Sequence, residues 1–130
     1  MGQGSTSSSE ESRASAMLRN VFCYLARQGT GFRYDRDDVG RFFHAARKKF
    51  PDVVEGLHFQ TRLTGDYCPA IEDAFEHLRS TGFITRRYSG YQLFDRFDVN
   101  QRSARRYTCE ANPRLEELAA EFKEQFGDAN

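Results

Sequence analysis

The chain lacks an excess charge of either sign, a long apolar run, paired cysteines and almost all lysine. Its 19 basic and 19 acidic residues cancel, so the whole molecule has no net attraction for nucleic acid or an anionic lipid surface. Any such binding must come from a local patch. No stretch approaches the roughly 20 apolar residues of a membrane span, and the N-terminus has no signal-peptide apolar run, which predicts a cytoplasmic protein without a membrane anchor. The three cysteines, Cys23, Cys68 and Cys109, are odd in number and widely spaced. With no Cys-x-x-Cys pair, buried reduced thiols are expected. His44, His58 and His77 have no companions at metal-ligand spacing, and no Ser/His/Asp order, glycine-rich phosphate loop or carboxylate pair stands out. The sequence therefore implies no metal, no cofactor, no small-molecule substrate and no catalytic site. Only three of the basic residues are lysine and the rest are arginine. That bias fits either recognition of planar anions or a GC-rich genome.

What is present is aromatic. A length of 130 residues suits one domain, and at this size about two thirds of the unfolded surface can be buried. Hydrophobic residues make up only 38%, but 12 Phe and 6 Tyr supply large buried areas per side chain. An aromatic-rich core is expected.

Residues 1–12 are almost entirely polar after Met1, and read as a disordered tail ahead of a single domain over 13–130. Met17, Leu18, Val21, Phe22 and Leu25 fall at helical spacing, and Gly29 stands where such a helix would end. Phe32 and Tyr34 alternate with polar neighbours as a short strand would. Asp35 or Asp37 can cap a second helix with the stripe Val39, Phe42, Phe43, Ala46 and Phe50, stopped by Pro51. Leu57 and Phe59 suggest another short strand, broken by Gly65. Pro69 suits the first turn of a third helix with the stripe Ile71, Ala74, Phe75 and Leu78, closed by Gly82. Residues 83–88 and 91–97 are β-favouring runs around Ser89-Gly90, the spacing of a tight hairpin. Residues 98–104 read as a loop and 106–109 as a further short strand. Asn112-Pro113 opens a last helix with the stripe Leu115, Leu118, Ala119, Phe122 and Phe126. The fold class expected is α/β of the α+β kind, winged helix-turn-helix-like: three helices, a β-hairpin wing and a C-terminal helix.

The segment 57–84 resembles the central signature of the Panacea-type family of small bacterial and phage proteins, through Gly65, Tyr67, Ile71, Leu78, Gly82, Phe83 and Ile84. Asp66 stands where that family has Pro, and Cys68 where it has Ser. The resemblance implies an antitoxin-like or regulatory adaptor that binds a partner protein and has no catalytic activity.

Two candidate surfaces follow. The third helix exposes Glu72, Asp73 and Glu76 beside Tyr67 at its preceding turn, with Gly65 required by the backbone there. Carboxylates are repelled by a phosphate-lined groove, so this face suits a protein partner, or a second copy of the chain, better than DNA. The stretch 79–106 holds seven Arg against Asp95 and Asp98, a local charge of +5. Within it, Arg86, Arg87, Arg102, Arg105 and Arg106 form the alternative site, a basic hairpin for double-stranded DNA; a solvated face balancing the acidic C-terminal segment is the plainer reading. Cys68 at a helix N-terminus has either a lowered thiol pKa or a packing role. The last helix must bury its apolar stripe on the first helix or on its own copy in a salt-sensitive dimer.

Overall fold

The computed structural model describes residues 8–63, 65–87, 95–107 and 112–127. In chain order these form α1 (Ser8–Arg27), β1 (Phe32–Tyr34), α2 (Arg36–Lys49), α3 (Pro51–Val54), β2 (Gln60–Arg62), β3 (Gly65–Tyr67), α4 (Pro69–Ser80), β4 (Ile84–Arg87), β5 (Asp95–Val99), α5 (Gln101–Arg106) and α6 (Pro113–Phe126). The architecture is α+β: six helices among the described residues, with a three-stranded antiparallel sheet of order β1-β5-β4 and a separate β2-β3 hairpin.

Local chemistry accounts for most helix ends. The Asp35 carboxylate accepts from the backbone N–H groups of Asp37 and Asp38, at 3.0 and 3.1 Å, satisfying donors at the start of α2 that have no intrahelical partner. Pro69 and Pro113 open α4 and α6, where a missing N–H costs nothing. At the end of α4, Gly82 adopts φ 84°; its N–H donates to the Arg79 carbonyl and that of Phe83 to the Leu78 carbonyl. This is a Schellman cap, and it explains the order Leu78, Gly82, Phe83 by the geometry of helix termination.

The core is a continuous aromatic cluster. Phe122 of α6 sits at its centre, with ring centroids 6.4 Å from Phe22, 5.9 Å from Phe32, 5.5 Å from Phe42 and 4.8 Å from Phe126. Rings at these separations add attraction beyond the area they bury. Leu115, Leu118, Ala119, Phe122 and Phe126 are all buried inside their own chain, against α1, β1 and α2. The α6 stripe is therefore used up within the molecule, and a dimer formed through it is excluded in this fold.

Several elements depart from the sequence expectation. Ser8–Ser12 belong to α1, not to a tail, because Glu10 is buried and its carboxylate accepts from the His58 backbone N–H at 2.8 Å. A polar segment can thus be held by a hydrogen bond that a count of apolar residues misses. Residues 1–7 lie outside the described residues. Pro51 stops α2 but also starts α3. The strand expected at Leu57 and Phe59 lies at Gln60–Arg62 and pairs with β3, so Gly65 begins a strand and does not break one. The expected loop over 98–104 holds the end of β5 and most of α5, and the strand expected at 106–109 begins inside α5. Asn100 drives that difference, since its side chain caps α5 by accepting from the Ser103 N–H at 3.0 Å. The Ser89-Gly90 turn lies outside the described residues. Arg87 pairs with Arg96, nine positions on, whereas a two-residue turn at 89–90 would pair it five positions on.

Candidate functional site

The helix α4 presents Asp73, Glu76, His77, Arg79 and Ser80 to solvent and buries Ile71, Ala74, Phe75 and Leu78. Asp73 and Glu76 are thus exposed as the sequence suggests. Glu72 is not. It is half-buried, and the Tyr34 hydroxyl donates to its Oε2 at 2.6 Å. The Tyr34 ring stacks on Phe75 with centroids 3.7 Å apart. Burial raises the Glu72 carboxyl above its ordinary value, partly offset by the Tyr34 hydroxyl and by Arg36. Burial also raises the Tyr34 hydroxyl well above the usual tyrosine range, helped by the Glu72 charge. The fold turns Glu72 inward because its position in the first turn of α4 faces β1, which helical spacing alone does not reveal. Tyr67 is half-buried, with the Arg36 guanidinium 5.6 Å from its ring centre.

Between α1 and α4 runs an open groove of about 380 Å³, lined by Glu11, Ser12, Ser15 and Arg19 on one side and Asp73, Ala74 and His77 on the other. The β2-β3 hairpin is fastened to α2. His44 Nδ1 lies 2.7 Å from Asp66 Oδ2, a contact that holds the Asp66 carboxyl below the usual range. The His44 ring stacks on Phe59 at 4.9 Å. Gly40 allows the close approach: a Cβ there would collide with the Asp66 carbonyl oxygen and stand 2.9 Å from its carbon. At the tip of this hairpin Leu63 is fully exposed, the one exposed large hydrophobic residue among the described residues. Sequence reasoning missed it. The signal was an apolar residue two positions before Gly65 inside an otherwise polar segment.

The arginines split into two groups. Arg86 pairs with Asp95 across the sheet at 2.7 Å, and Arg87 holds Asp98 through two nitrogens. Asp95 and Asp98 lie on β5, opposite β4, so the carboxylates of β5 neutralise the arginines of β4. Arg102, Arg105 and Arg106 lie instead on α5, beyond the Ile84 and Val99 end of the ladder. All three are exposed. The expected single basic patch is therefore two separate features.

Cys68 precedes α4 and is buried, and that burial raises its thiol above the ordinary value. A lowered pKa at this helix terminus is overturned, because desolvation outweighs the nearby backbone N–H groups. Cys23 is buried too, and Cys109 lies outside the described residues. Among the described residues no three His, Cys, Asp or Glu side chains are grouped so as to hold a metal ion, and no helix is long and apolar enough to cross a membrane. No protein-family model, curated protein or solved structure matches the chain.

Proposed function

We propose that this protein is a non-enzymatic, winged-helix-type interaction module that binds a protein partner, as an antitoxin-like or regulatory adaptor would. The winged-helix reading is supported by the order α1, β1, α2, α4, β4, β5 and by the placement of β5 between β1 and β4. On this reading the β2-β3 hairpin is an insertion ahead of the helix that a DNA-reading relative would lay in the major groove. One observation carries the choice of partner. That helix, α4, exposes Asp73 and Glu76, while the hairpin arginines beside it are committed to carboxylates of their own sheet. Such a surface repels phosphate and suits polar or basic groups on a protein. Tyr67 and the exposed Leu63 lie on the strand and tip that lead into α4.

Copurification from the native host tests this reading. The tagged chain should retain one protein at fixed stoichiometry, and Asp73→Lys with Glu76→Lys should release it while Arg86→Ala with Arg87→Ala does not. Recovery of nucleic acid alone, with no stable protein, would overturn the proposal in favour of a DNA-binding regulator.

A further inference from the structure

We infer that the arginine face of α5 docks on the acidic face of α4 in a second copy of this chain, giving a two-fold, salt-sensitive dimer. The inference rests on the reading of α4 as a protein-binding face and names one occupant for it. The inner side of α5 is fixed: Ala104 is buried, the Cys23 thiol donates to its carbonyl at 3.8 Å, and the Gln101 amide donates to the Ala26 carbonyl at 2.9 Å. Arg102, Arg105 and Arg106 consequently point outward, and their spacing of three and four residues puts them on one helical face. None of the three has an ion-pair partner among the described residues. Their neighbours in sequence differ, since Arg79, Arg86, Arg87 and Arg114 all meet carboxylates. On α4, Asp73 is exposed without an ion pair among the described residues, and Glu76 meets only Arg79 at 3.3 Å.

Both helices pack on α1, whose Arg19 lines the groove with Asp73 and also lies 5.6 Å from the ring centre of Tyr107, just past α5. A surface with carboxylates on one side of α1 and guanidinium groups on the other is self-complementary under a two-fold axis, because each half meets its opposite in the second copy. With a net charge of zero, the copies do not repel each other at long range. The α6 stripe is buried in its own chain, so charge pairing and not apolar burial holds this interface. Added salt must therefore weaken it.

Sedimentation at low and high ionic strength, on nuclease-treated protein, decides the matter. The wild type should be dimeric at low salt and monomeric at high salt. Arg102→Glu, Arg105→Glu and Arg106→Glu together, or Asp73→Lys with Glu76→Lys, should each raise the dimer dissociation constant by at least about tenfold. An equimolar mixture of the two charge-reversed chains should recover a heterodimer. Circular dichroism shows that each variant is folded, and the alanine triple variant replaces the glutamate one if it is not. A monomer at low salt, a dimer indifferent to salt, or a mixture that stays monomeric overturns the inference. If host partner capture still depends on Asp73 and Glu76 in that event, the protein-binding reading stands without the dimer.

Discussion

Replacing Tyr34 with Phe isolates one buried polar contact from the packing around it. The phenyl ring keeps its stacking on Phe75 and its edge contact with Phe97, so little apolar burial changes. What is lost is the hydroxyl that donates to Glu72 at 2.6 Å. A hydrogen bond to a charged group contributes roughly 1.5–3 kcal/mol. Glu72 is only half-buried, and water replaces part of the lost bond, so a destabilisation of about 1–2 kcal/mol at neutral pH is expected. The pH dependence adds a second signature. The folded carboxyl of Glu72 titrates above its unfolded value, so the folded state binds more protons between those two values and stability falls as pH rises through that window. Phe at position 34 removes a group that lowers the Glu72 pKa, which extends the window upward. The penalty of Tyr34→Phe should therefore shrink as pH falls through the raised folded values of Glu72, above the ordinary carboxylate range, and it should largely vanish in a Glu72→Gln background. Urea unfolding of the four chains of that cycle, at neutral and acid pH, measures both effects. A penalty that is absent at neutral pH, or that is equal at both pH values and undiminished by Glu72→Gln, refutes the reasoning.

Three further outcomes follow from the hairpin and its attachment. Gly40→Ala gains up to about 1 kcal/mol of helix propensity but forces α2 away from the Asp66 backbone at a cost of about 1–3 kcal/mol, so thermal unfolding should show a net loss. Asp66→Asn should destabilise the protein at neutral pH. Since His44 holds the Asp66 carboxyl below the usual range, this contribution is present above the unfolded value and lost as pH falls through the folded one, so acid titration should bring the two chains together. Leu63→Ser should leave unfolding unchanged within about 0.5 kcal/mol yet reduce recovery of the host partner in copurification.

The elements legible in the sequence were those closed by local chemistry. Asp35, Gly82, Pro113 and the stripes of α2, α4 and α6 each carry a cap or a period that needs no knowledge of the rest of the chain. The elements that escaped depend on distant partners. The first turns of α1 are ordered by Glu10 against His58, and β2 takes its register from β3, which Gly40 lets approach α2. The candidate site divides in the same way. Asp73 and Glu76 were readable from helical spacing, whereas Glu72 turns inward to a tyrosine 38 residues away. The run of arginines appeared continuous because a charge count cannot see which carboxylates face it across a sheet.

Anisotropy of a labelled DNA duplex titrated with the protein at low salt tests most directly whether this fold serves protein and not nucleic acid. No saturable binding tighter than the non-specific range of about 10⁻⁴–10⁻⁶ M should appear, and Arg86→Ala with Arg87→Ala should change nothing. Submicromolar binding that falls steeply with added salt and is lost in that double variant would contradict the account.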